Sequence, residues 1–106
     1  MTALISRSVV RMTISEPRLP DGLKLVRTTP TFDEHTVPAG LRAAHRIAEG
    51  VWGRLVVLSG SLEFVVDSEP DSPHRIVAEE SRIIPPGVVH HVTVDGPVRF
   101  HVEFHR

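Results

Sequence analysis

The chain is divided into short runs of β-branched residues, and glycine or proline interrupts each run before it becomes long. Valine occurs sixteen times, and no stretch carries apolar residues at helical spacing. β-Branched side chains fit the pleated surface of a strand, and Gly and Pro mark turns, so the pattern predicts about eight short strands. Strands of this length and spacing are typical of an all-β sandwich or jelly-roll barrel.

The predicted strands lie at 23–27, 41–47, 54–58, 61–66, 74–78, 81–84, 90–94 and 98–104. Ser59-Gly60 between two of these runs predicts a hairpin with a short connection, and Asp-Gly-Pro at 95–97 predicts another. A further strand is possible at 8–14.

The chain has 106 residues, which is enough for one domain and too short for two. Pro17 and Pro20 separate the first residues from the rest. We therefore expect an N-terminal extension at 1–18 and one β-barrel domain at 19–106.

Charge and composition exclude several partners. The formal net charge is -1, and Lys24 is the only lysine beside eleven arginines, with no basic run of the kind that binds nucleic acid. The aliphatic run at 55–58 is far too short to cross a membrane. Arg7 and Arg11 interrupt the N-terminus, so no signal peptide is expected, and a cytoplasmic location is the default. Cysteine is absent, which excludes disulfides and thiolate ligands.

Residues 85–91, PPGVVHH, end in two adjacent histidines. Neighbouring side chains on a strand point to opposite faces, so at most one of them points inward. His90 shares its face with Val92 and Val94, and an inner face is the apolar one. We therefore expect His90 inside and His91 outside.

Two segments resemble the motifs of cupins. Residues 85–90 match Pro-x-Gly-x-x-His, the core of the second cupin motif. This resemblance implies that His90 stands at the position of a metal-binding histidine. Residues 53–64 resemble the end of the first motif. The usual first motif also supplies a pair of histidines and a glutamate, but Gly53 stands at the glutamate position and only His45 lies nearby.

The missing ligands must come from elsewhere, and the last strand is the best source. His101 and Glu103 share one of its faces, so we expect His45, His90, Glu103 and His101 to bind one divalent transition metal. Imidazole and carboxylate suit Zn, Fe, Mn, Co and Ni alike, so the metal stays open. The alternative for the histidines is a hydrogen-bonded place in the core.

The last strand presents a conflict, because Phe100, Val102 and Phe104 lie on the face opposite Glu103. Glu103 points inward only if the outer face is covered by the N-terminal segment or a second subunit. The alternative is that the phenylalanines fill the barrel and Glu103 faces solvent.

An ordered set of segments resembles one cupin-related family, the small TehB/YeaR-like domain associated with tellurite resistance. The segments are 19–32, 36–45, 50–62, 85–92 and 100–104. The resemblance implies a cupin-like jelly-roll barrel (a double-stranded β-helix), found alone or fused ahead of a methyltransferase. It implies no known reaction.

These observations predict a small metal-binding protein that binds a small-molecule ligand, in the response to tellurite, other oxyanions or another stress. Trp52 and Arg54 are the predicted ligand-pocket residues. Two alternatives stay open: a metal-dependent enzyme of dioxygenase or isomerase type, and a metal-free dimerisation or interaction module. No acid/base pair can be assigned, so catalytic residues are unknown. Exposed edges of a small barrel favour a homodimer.

Overall fold

The computed structural model describes residues 16–106, and the predicted strand at 8–14 lies outside them. Within these residues the fold is all-β, as predicted, with a single 3₁₀ turn at Ala39–Arg42. No helix in the described part is long and apolar enough to cross a membrane. The strands are β1 Leu25–Thr28, β2 Phe32–Asp33, β3 Trp52–Val66, β4 His74–Val77, β5 Ser81–Ile84, β6 His90–Thr93 and β7 Val98–His105.

Strand β3 organises the molecule because it belongs to both halves of the β-structure. Its first part pairs antiparallel with β5 and β7, and β1 and β2 continue that sheet beyond β7. Its second part pairs with β4 and β6. The result is a jelly-roll arrangement in which two sheets share one long strand.

The hairpin predicted at Ser59-Gly60 is wrong, since β3 continues through it without reversing. The pairing with β7 shifts between Val57 and Ser59, as at a β-bulge. Gly60 has a φ of 72°, and a Cβ at this position would collide with the carbonyl oxygen of Pro97. Glycine therefore provides both the left-handed backbone and the close approach that bend the strand from one sheet to the other.

Two further predictions, a strand at 41–47 and a hairpin at 95–97, are also wrong. Residues 41–47 do not form a strand: the 3₁₀ turn is followed by a single β-bridge at His45. Residues 95–97 do not close a hairpin, because β6 pairs with β3 whereas β7 pairs with β1, β2 and β3. Residues 95–97 carry the chain from β6 in one sheet to β7 in the other, which the local turn pattern does not distinguish from a hairpin.

The inner faces of the strands form one apolar core. Alternate residues of β3 and β7 point into it, as the period of two requires. Phe100 is fully buried and packs against Phe32 with ring centroids 5.6 Å apart. The buried cluster comprises Val37, Ile47, Leu55, Val57, Leu62, Phe64, Ile76, Ile84, Val92, Val98, Phe100 and Val102.

Candidate ligand and metal site

A cavity of about 300 Å³ opens between the sheets, under the segment that carries the 3₁₀ turn. Its walls are mainly apolar, and its polar or charged side chains are two histidines, one threonine and one arginine. No Asp or Glu of residues 16–106 lines it. The lining residues are Arg27, Thr29, Phe32, Pro38, Gly40, Leu41, His45, Ile47, Leu55, Ile84, His90, Val92, Val102 and Phe104.

The two cavity histidines are held opposite each other by their own backbones. The amide of His45 donates to the carbonyl of His90 at 2.8 Å, and the amide of His90 donates back to His45 at the same distance. Directly opposed residues of an antiparallel pair project their side chains on the same side. The imidazole rings accordingly meet edge to face, with centroids 5.3 Å apart.

His90 points inward as predicted, and only 2% of it is exposed. Its Nδ1 lies 2.9 Å from the carbonyl oxygen of Val88, which can only accept, so Nδ1 carries the proton and donates. Burial is the main cause that lowers the pKa of His90 below 6.5, and the nearby His45 adds to it. His90 is therefore a neutral imidazole whose Nε2 keeps a free lone pair. His91 faces outward and contacts Asp67 at 2.8 Å.

His45 has a buried polar atom without a partner. Its Nδ1 is inaccessible to solvent and makes no hydrogen bond to any described residue. A buried nitrogen in this state costs about 1–3 kcal/mol unless something binds it. The two histidines thus offer the cavity two imidazoles with unused coordinating capacity, and this donor set fits a borderline transition-metal ion.

A separate polar cluster lies on the outer face of β7. The Glu103 carboxylate is 3.2 Å from Nε2 of His105, 3.5 Å from Nε2 of His101 and 3.5 Å from the guanidinium of Arg54. Partial burial alone would raise the pKa of Glu103, but the two histidines and Arg54 outweigh it and lower the pKa below 4.5.

The structure brings together only two of the four predicted metal ligands, His45 and His90. Phe104 and Val102 line the cavity, so Glu103 and His101 lie on the opposite face of β7 and do not join His45. Phe100, Val102 and Phe104 lie on the core side of β7, as the alternative prediction for this strand stated. Within residues 16–106 no group of three or more His, Cys, Asp or Glu is placed to hold one metal ion.

The first cupin motif is also altered in a way that geometry explains. A side chain at position 53 would point inward, where its Cβ would collide with Ile47 and touch Ile84. The place of the usual glutamate is thus filled by an isoleucine side chain. Trp52 and Arg54, the predicted pocket residues, lie on the outer face of β3 and do not line the cavity.

A charged residue at the opening of the cavity was not predicted. Arg27 on β1 is exposed, lines the cavity and lies over the ring of Phe104, with the guanidinium carbon 5.5 Å from the ring centroid. β1 contains an irregularity between Leu25 and Arg27. The simple alternation of a strand therefore does not reveal the face on which Arg27 lies.

Fold and cavity together define a small cupin-like jelly-roll domain with two histidines on the inner wall. The family model of the TehB-like domain matches residues 27–102. The chain belongs to the TehB-like domain family, which confirms the resemblance drawn from the sequence. A search of the curated proteins found no match to this chain.

Solved structures share the fold of this chain. A protein from E. coli (strain K12), known from a crystal structure, is 25% identical in sequence to this chain, with a TM-score of 0.76. The match covers 85% of this chain and 96% of that one. TehB from Haemophilus influenzae is 21% identical in sequence to this chain, with a TM-score of 0.72. The match covers 80% of this chain but only 32% of the TehB chain. A cupin-2 domain protein from Shewanella frigidimarina is 14% identical with a TM-score of 0.55, over 91% of this chain and 89% of that one.

Proposed function

We propose that the cavity binds a small molecule next to one divalent transition-metal ion held by His45 and His90. The observation that carries the proposal is the unpartnered, buried Nδ1 of His45 beside a neutral His90. An inward polar group in an apolar wall must be satisfied, and a metal ion would satisfy both imidazoles at once.

Two protein ligands would leave at least half of the coordination positions of the ion to water or to the bound molecule. A metal ion in such a site supplies Lewis acidity and an anchor for an electron-rich ligand atom. The chain itself supplies the apolar walls that exclude water, and it fixes the tautomer of His90 through Val88. Zn, Fe, Mn, Co and Ni all accept imidazole, so the donor set leaves the choice among them open.

Binding is favoured over catalysis because the cavity offers few groups that move protons. Its ionisable lining residues are Arg27, His45 and His90, and the proposal uses both histidines as ligands. An acid/base pair would therefore have to come from the bound molecule. The enzyme and the metal-free interaction module remain the alternatives, and the role in response to tellurite, other oxyanions or another stress remains a prediction.

Metal content of the purified chain tests the proposal. We expect one equivalent in the wild type and a loss of at least about tenfold in His45→Ala and in His90→Ala. His101→Ala is the matched control, because it removes an imidazole from the outer face and should leave the metal in place.

Equal metal content in the wild type and in both cavity variants would contradict the proposal. Loss of metal in His101→Ala with retention in His90→Ala would move the site to the outer face of β7. A wild type that takes up no Zn²⁺, Fe²⁺, Mn²⁺, Co²⁺ or Ni²⁺ when each is added would favour the metal-free module.

A further inference from the structure

The charge pattern of the cavity restricts the ligand that it accepts. Among residues 16–106, Arg27 is the only permanently charged side chain in the lining, and no Asp or Glu of that range lines the walls. A lone cation at the opening of an apolar cavity favours an anionic ligand and disfavours a cationic one.

Arg27 is also available to a ligand. The ion pairs among the described residues engage Arg54, Arg75 and Arg82 but not Arg27. Residues 1–15, outside the described part, contain no Asp or Glu that might neutralise it. Its guanidinium is therefore an uncompensated positive charge at the rim of the cavity.

The aromatic ring below Arg27 fixes its orientation. Arg27 and Phe104 are register partners on neighbouring strands, and the guanidinium lies over the Phe104 ring. Stacking on a ring restrains the planar group while its N–H groups stay free for a bidentate pair with a carboxylate. Thr29 adds little to recognition, because its hydroxyl already donates to Pro30 and accepts from the amide of Val102.

The size and the walls of the cavity define the rest of the ligand. A volume of about 300 Å³ accommodates roughly ten non-hydrogen atoms. Leu41, Leu55, Ile84 and Val102 provide an apolar surface that a bare inorganic anion would leave without contacts.

We propose that Arg27, stacked on Phe104, makes the cavity selective for a small organic monoacid, a single carboxylate joined to an apolar body. This inference rests on the proposed function, since it requires that the cavity binds a small molecule. It adds the class of ligand and the residue that selects it, and it does not depend on a metal ion.

Benzoate and benzamide provide a matched pair of probes, because they have the same shape and size and differ in charge. Binding is followed by amide chemical shifts of the full chain, labelled with ¹⁵N and treated with a chelator so that no metal contributes. We expect benzoate to shift the amides of Val102, Phe104 and His90 and to bind about tenfold more tightly than benzamide. Arg27→Gln should abolish this difference, and Arg27→Lys should retain only part of it.

Arg99→Gln is the control variant, because Arg99 is an exposed arginine on β7 outside the cavity and should leave the preference unchanged. Equal affinity for the two probes, or a preference that survives in Arg27→Gln, would overturn the role of Arg27 while leaving a small-molecule cavity intact. Inorganic sulfate that binds as tightly as benzoate would overturn the organic acid as ligand. If neither organic probe binds, the inference fails, and the metal content of the histidine variants decides the proposed function separately.

Discussion

Each side chain of β7 occupies one of two environments, and the face of the strand decides which. Phe100 is fully buried in the core, whereas the neighbouring His101 belongs to the polar cluster outside. We expect Phe100→Ala to lower the free energy of unfolding by about 3–5 kcal/mol and His101→Ala to change it by less than about 1 kcal/mol. Urea denaturation of both variants measures this, and equal losses would contradict the assignment of the faces.

Glu103 makes the stability of the outer cluster depend on pH. Its histidine and arginine neighbours lower its pKa in the folded chain, so its contribution is complete above about pH 4.5 and is lost as the pH falls through the folded-state pKa. Glu103→Gln should be less stable than the wild type by about 1 kcal/mol at pH 7. The difference should shrink below pH 4.5. A difference that is constant from pH 7 to pH 3 would rule out this electrostatic role.

For some residues, the sequence alone predicts the face of the strand on which the side chain lies. His90 could be assigned to the inner face because valines share its side of β6, and burial of apolar surface decides the side. The same rule, applied to Phe100, Val102 and Phe104, places Glu103 outside, which argues against Glu103 as a ligand of a metal ion in the cavity. Arg27 could not be assigned, because the irregularity in β1 breaks the alternation on which the rule depends.

At the scale of elements, the bend of β3 is the feature on which both sheets depend. Gly60→Ala introduces a side chain against the Pro97 carbonyl and a strained φ, so we expect a loss of at least about 2 kcal/mol in stability. Gly87→Ala separates the two causes, because Gly87 has a φ of 77° with open space around it and should cost only about 1 kcal/mol. Thermal unfolding of the two variants gives the comparison. Equal losses of stability in Gly60→Ala and Gly87→Ala would show that the contact with Pro97 does not contribute to the cost of the Gly60 substitution.

The strands were more predictable than the way in which they connect. Composition and alternation are local properties, so most strand positions, such as 74–77 and 81–84, follow from the sequence. Ser59-Gly60 suits either a hairpin turn or a bend, and the choice depends on a contact with Pro97, far along the chain. The segment 41–47 likewise takes its form from the bridge between His45 and His90, which only the complete fold creates.

At the scale of the whole molecule, the β-structure places two groups of polar residues on opposite sides of β7, although some of their members are neighbours in the sequence. The inner side holds an apolar cavity with two histidines and one arginine, and the outer side holds a carboxylate among cationic or basic groups. The predicted homodimer remains a prediction. Sedimentation equilibrium, which measures the mass in solution, would show whether the chain dimerises. Among the described residues, the large hydrophobic side chains left exposed are Leu25, Val26, Leu58 and Val77.

The most direct test of the account is to locate a metal ion by anomalous X-ray scattering in crystals of the wild-type chain grown with Zn²⁺. The account predicts an anomalous peak in the cavity, within about 2.0–2.1 Å of one nitrogen of His45 and one of His90. A peak beside Glu103 on the outer face of β7, or none in the cavity of a fully ordered chain, would contradict the central claim.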